Sequence, residues 1–105
     1  MTGNPMLNRF IGWAHSVETA QAKLHRDIEM QLTESDPCDN RSARLDVDTP
    51  TAVGRITCWE SGDYDAEAID LQTERSLYTD RGTLREGEEM LKKFSPFFEA
   101  MGIAE

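Results

Sequence analysis

Thr51-Ala52-Val53-Gly54-Arg55-Ile56-Thr57-Cys58-Trp59-Glu60, then Ser61-Gly62-Asp63, then Tyr64-Asp65-Ala66-Glu67-Ala68-Ile69-Asp70-Leu71, sets the architecture of this chain. Two runs of alternating polarity flank a Ser-Gly-Asp turn signal, which predicts a β-hairpin. A three-residue loop over Ser61 to Asp63 pairs Glu60 with Tyr64, Cys58 with Ala66 and Ile56 with Ala68. Small and apolar residues then share one face. Arg55, Thr57 and Trp59 lie on the other face beside Asp65, Glu67 and Ile69. A two-residue loop would place Asp65 and Glu67 beside Cys58 and Ile56 and bury carboxylates. The three-residue loop is therefore favoured, with Gly62 in the left-handed conformation.

Working outward, Asn4-Pro5 reads as a helix start, a capping side chain followed by proline at the first helical position. Met6, Phe10, Trp13, Val17, Ala20 and Leu24 recur at steps of three and four, with Leu7, Ile11 and Ala14 widening the stripe. An amphipathic helix from about Pro5 to about His25 follows. Ile28, Met30 and Leu32 then alternate with polar residues, which favours a strand over a continued helix. A loop spans Glu34 to Asn40. Ala43, Leu45 and Val47 alternate with Arg44, Asp46 and Asp48 in another strand. Beyond Leu71, a turn at Gln72-Thr73-Glu74 leads to a strand from Arg75 to about Arg81. Thr83-Leu84-Arg85-Glu86 reads as a capping box opening a final helix, whose stripe is Leu84, Leu91, Phe94, Phe98 and Met101. Pro96 is expected to kink that helix or begin a short second piece, and Gly102 to end it.

The order is helix, about five strands, helix. Strands joined by short turns make a mostly antiparallel meander. Two amphipathic helices must bury their stripes, and the apolar sheet face is the surface available. The expected fold is α+β, a two-layer sandwich with the N-terminal and C-terminal helices on one face of the sheet. The face carrying Arg55, Thr57, Trp59, Asp65 and Glu67 then meets water.

At 105 residues the chain suits one domain over residues 1–105 with a modest core. Hydrophobic content of 38% and charged content of 30% fit a soluble globular protein. Apolar runs are too short for a membrane span. Without a signal-like start, the cytoplasm is the expected compartment. Two cysteines, Cys38 and Cys58, could form one bridge; Cys58 on the apolar face is better read as a buried free thiol. A formal charge of −9 argues against direct nucleic-acid binding, which needs clustered Lys and Arg. It suits either plain solubility or a basic protein partner. No Lys or Arg lies between Arg55 and Arg75, whereas Glu60, Asp63, Asp65, Glu67, Asp70 and Glu74 do. That concentration shifts the balance towards the partner.

No glycine-rich phosphate loop, metal-spaced Cys/His set or nucleophile elbow is present. His15 and His25 stand ten positions apart and fit no helical metal pair. Asp65 and Glu67 could mimic a paired-carboxylate site, but a solvated strand face explains them. No catalytic residue, cofactor or metal is expected. Trp59 is more informative. A strand tryptophan is most often core, yet the register sets this one among polar residues, the composition of a binding hot spot. Arg55, Thr57, Trp59, Glu60, Asp63, Asp65 and Glu67 are the candidate binding residues.

Arg44-Leu45-Asp46-Val47 and the run from Gly54 to Asp65, with its Trp59-Glu60-Ser61-Gly62 piece, resemble small bacterial immunity proteins. These belong to contact-dependent growth inhibition and related polymorphic toxin systems, including the set called TriTu. The resemblance is best over about Arg41 to Glu74. It implies an intracellular protein that binds and neutralises one cognate toxin domain, often a nuclease, and it carries no catalytic residues. Ala66 and Ala68 stand where some relatives have bulkier residues, leaving room for a helix side chain. A small acidic secretion chaperone is the alternative, and an enzyme or small-molecule binder a third reading.

Overall fold

Proline has no amide hydrogen to lose at a first helical position, and Pro5 opens α1 (Pro5–Leu24) in the computed structural model of the protein. The structure describes residues 5–24, 27–36, 39–85 and 88–103. The elements that follow are β1 (Glu29–Glu34), β2 (Ser42–Asp48), β3 (Ala52–Trp59), β4 (Asp63–Asp70), β5 (Ser76–Thr83) and α2 (Met90–Ala100). The strands form one antiparallel sheet in the order β1-β2-β3-β4-β5, the meander expected from short turns. The alternation at Met30 and Leu32 does make a strand, β1, rather than a longer helix. Asn4, His25, Cys38 and Glu86 lie outside the described residues, so the Asn4 cap and the Cys38 pairing lie outside them too.

Both helices pack on one sheet face. α1 lies over β1, β2 and β3, and α2 over β4 and β5. Ala43, Leu45, Val47, Ala52, Ile56, Cys58, Tyr64, Ala66 and Ala68 point into this layer and are buried. The α1 stripe is rotated from the expected one: Leu7, Phe10, Ala14 and Gln21 are buried, Trp13 and Val17 half-buried, and Ala20 exposed. In α2, Met90, Phe94, Phe97 and Phe98 are buried, while Leu91 is 53% exposed, contrary to expectation. The aromatic rings interlock edge to face: Phe94 meets Phe10 at 6.0 Å and Tyr64 at 5.6 Å between centroids, and Trp13 meets Phe98 at 6.0 Å. Such pairs add about 0.5–1.5 kcal/mol each beyond simple burial.

Gly54 explains how α2 comes so close to the sheet centre. A Cβ there would lie 2.6 Å from Met101 Sδ and 2.7 Å from Phe97 Cζ. The helix then ends on a Schellman motif: Gly102 N–H donates to Glu99 O at 3.0 Å, and Ile103 N–H to Phe98 O at 2.9 Å. Gly102 takes the required positive φ of 77°, as its place in the sequence predicts. Pro96 sits inside α2, which continues through it.

Two expectations are corrected. The hairpin loop has three residues, but they are Glu60, Ser61 and Gly62. Cys58 therefore pairs with Tyr64, Ile56 with Ala66 and Gly54 with Ala68, a register two residues from the expected one. Cys58 and Ala66 both face the helices but are not direct cross-strand partners. The shift is even, so every side chain keeps its face. Its cause lies partly in β5: Leu84 N–H donates to Gly62 O at 2.8 Å, holding Gly62 at φ 95° in the loop. The second correction is the capping box. Thr83 belongs to β5, pairs with Asp63 and donates its hydroxyl to the Asp63 carboxylate at 2.8 Å. Cross-strand pairing outweighs the local cap, and α2 starts seven residues later with no side-chain cap at Glu89.

Candidate functional site

The sheet face away from the helices is uncovered, and its residues form a grid set by the strand registers. One row crosses Glu29, Asp48, Val53, Ile69 and Ser76. The next crosses Gln31, Asp46, Arg55, Glu67 and Thr79. The third crosses Thr33, Arg44, Thr57, Asp65 and Arg81. At the hairpin end Ser42 pairs with Trp59, and Asp63 with Thr83.

The structure thus gathers most of the sequence-predicted residues on one surface. Arg55, Thr57 and Trp59 come from β3, and Asp63, Asp65 and Glu67 from β4, all on the uncovered side. Trp59 is half-buried, with Cys58 and Tyr64 beneath the sheet on the helix side. Trp59 lines a shallow concavity of about 430 Å³ with Asp63, Asp65 and Arg81. Glu60 is the exception. It lies in the loop, where its carboxylate accepts the Arg41 amide at 3.3 Å.

The face is less uniformly acidic than the hairpin sequence alone suggests, because arginines on flanking strands interleave with the acids. Arg55 Nε donates to Asp46 at 2.6 Å, and Arg44 Nε to the other Asp46 oxygen at 3.2 Å. Arg81 stands 3.7 Å from Asp65. Asp63 accepts from Thr83 and, at 3.1 Å, from Ser61. Asp70 is taken by its own turn, accepting the Gln72 and Thr73 amides at 2.9 Å, and these hold its carboxyl below the ordinary value. Glu67 has no hydrogen bond or ion pair to a described residue.

Sequence reasoning missed the far end of this face. Gln31, Asp46, Asp48, Val53, Gly54, Arg55, Glu67 and Ile69 line a second concavity of about 490 Å³. The polar alternation of Asp46 and Asp48 was visible in the sequence. That these strands flank β3 with Asp48 beside Val53 required the pairing.

No group of three or more His, Cys, Asp and Glu side chains is placed to hold a metal among the described residues. Cys58 is fully buried, and burial, with Asp63 adding to it, pushes its thiol up to about 11, so it is no nucleophile at neutral pH. Tyr64 donates to Asp80 at 2.8 Å on the helix side, and burial raises its phenol. No helix among the described residues is long and apolar enough to cross a membrane.

No curated protein matches the chain. A family model described as "Immunity protein TriTu" matches residues 8–100, from early α1 to the last residue of α2. That span takes in nearly all of both helices and the whole sheet, and so the chain belongs to the TriTu family of immunity proteins.

Proposed function

We propose that the protein is a stoichiometric inhibitor in the cytoplasm, without catalysis of its own, that binds one cognate toxin domain and blocks its active site or substrate surface. The uncovered sheet face carries this reading. A protein that buries its helix stripes on one side and leaves a half-buried tryptophan among charged residues on the other has a recognition surface of hot-spot composition. Arg55, Thr57, Trp59, Asp63, Asp65 and Glu67 form the contact, with Glu60 at its loop edge. A nuclease toxin suits the overall charge of −9, since phosphate-binding surfaces are positive and opposite potentials speed encounter.

The test is co-expression with the cognate toxin domain, to be sought in the gene immediately upstream. The two should co-purify as a one-to-one complex in which toxin activity is lost. Trp59→Ala should restore that activity at equal expression. Full neutralisation by Trp59→Ala at concentrations near the wild-type Kd would place the contact elsewhere.

A further inference from the structure

The two ends of the uncovered face differ in how their charges are satisfied. Towards the hairpin, Asp46, Asp65 and Asp63 each have an arginine or hydroxyl partner. At the opposite end Glu29 and Asp48 are directly paired across β1 and β2, like charge against like. That arrangement costs stability in a sheet. Neither carboxylate, nor that of Glu67, pairs with a described residue. Beside them Val53 and Ile69 are paired across β3 and β4, half-buried, and line the concavity of about 490 Å³ together with Asp48 and Glu67. Exposed Leu77 adjoins Ser76, the partner of Ile69.

We infer that this concavity is a second anchor point, which receives a lysine or arginine side chain from the toxin domain. Its methylene stem lies on Val53 and Ile69, and its cationic head sits between Asp48 and Glu67. The inference rests on the reading that the sheet face receives a toxin. Charge complementarity selects the occupant. Arg55 also lines the concavity, but its charge is met by Asp46, which leaves an apolar floor with the unpaired carboxylates of Asp48 and Glu67, a lining that fits a long cationic side chain and repels nucleic acid. Val53 and Trp59 stand six residues apart on β3, roughly 20 Å in an extended strand. The two anchors therefore engage separate parts of the partner, one bordered by the Asp46–Arg55 pair and the other by the Asp65–Arg81 pair.

The test uses a catalytically inactivated form of the cognate toxin domain as probe. Binding by calorimetry is compared for wild type, the double variant Asp48→Asn/Glu67→Gln, and Ile69→Lys. The double variant should keep or raise the Tm, because the Glu29–Asp48 repulsion is removed, yet weaken binding at least tenfold. Ile69→Lys fills the concavity with the chain's own cation and should weaken binding comparably without lowering the Tm. Wild-type affinity in both variants overturns the inference while leaving the proposed function standing. No binding by wild type overturns both. Sedimentation of the free protein checks for a second copy of the chain: wild-type self-association that the double variant abolishes would assign the concavity to a dimer contact and overturn the inference.

Discussion

Arg55 stands directly between Asp46 on β2 and Glu67 on β4, and it binds Asp46. Its Nε reaches the Asp46 carboxylate at 2.6 Å, leaving Glu67 without a partner among the described residues. One acid of the row is thus satisfied within the fold and the other is left exposed.

The first prediction concerns association kinetics. Replacing Asp63, Asp65 and Glu67 by Asn, Asn and Gln keeps shape and removes charge. Association with the toxin domain should slow several-fold at low salt and converge with wild type at high salt, since screening acts over about 8–10 Å near physiological ionic strength. Glu67→Gln alone should slow association more than Asp65→Asn alone, because Asp65 has Arg81 beside it and Glu67 has no cationic partner among the described residues. Stopped-flow mixing at two salt concentrations measures both. An unchanged rate at low salt would place the toxin on another surface.

Trp59 separates binding from stability. It is half-buried on the side away from the helices, so Trp59→Ala should lower the Tm only slightly and weaken toxin binding by roughly 2 kcal/mol or more. A core tryptophan would instead cost the free protein roughly 3–5 kcal/mol. A thermal melt of the unbound variant distinguishes these before any toxin is added.

Gly54 should tolerate no side chain. A methyl group there meets Met101 Sδ and the Phe97 ring at under 3 Å, so Gly54→Ala should destabilise by roughly 1–3 kcal/mol, the scale of core overpacking. In a Met101→Ala background, which removes one of the clashing atoms, Gly54→Ala should cost less than it does in the wild type. Urea denaturation of the three variants reads it directly, and full wild-type stability in Gly54→Ala would refute the close approach of α2 to β3.

Cys58 predicts an alkaline limit to stability. Its folded thiol titrates near 11, above the ordinary value of 9.0, because burial penalises the thiolate. The raised folded value means its contribution is fully present below about pH 9 and is lost as pH rises towards 11. Between those values stability should fall by at most about 1.4 kcal/mol per pH unit from this group. Cys58→Ala should flatten that slope in denaturant melts at pH 8 to 10.5. In a Cys38→Ser background, thiol labelling at pH 8 should proceed only as fast as the protein opens.

Much of this fold is legible from alternation alone. Ile56, Cys58, Ala66 and Ala68 declare one face of the hairpin, and Trp59, Asp65 and Glu67 the other, because side chains in a strand switch sides at every residue. An even error in register leaves that assignment intact, which is why the uncovered face was readable although Cys58 pairs with Tyr64. The span of α1 was readable from its apolar stripe, whereas α2 begins seven residues beyond the expected Thr83 cap.

Contacts between distant segments had to come from the three-dimensional packing. Thr83 carries a good local capping signature, yet β5 takes it, since its hydrogen bond to Asp63 and that of Leu84 N–H to Gly62 O are available only once β4 and β5 lie side by side. Arg81 tempers Asp65, and Arg55 prefers Asp46 to Glu67, for reasons of strand adjacency that charge spacing along the chain does not encode. The concavity at Val53 and Ile69, with Asp48 and Glu67 on its rim, draws on three strands at once. Local pattern assigns each residue a side of the sheet. Which residues become neighbours on that side depends on strand order and register, settled by long-range pairing and by how α2 seats against Gly54.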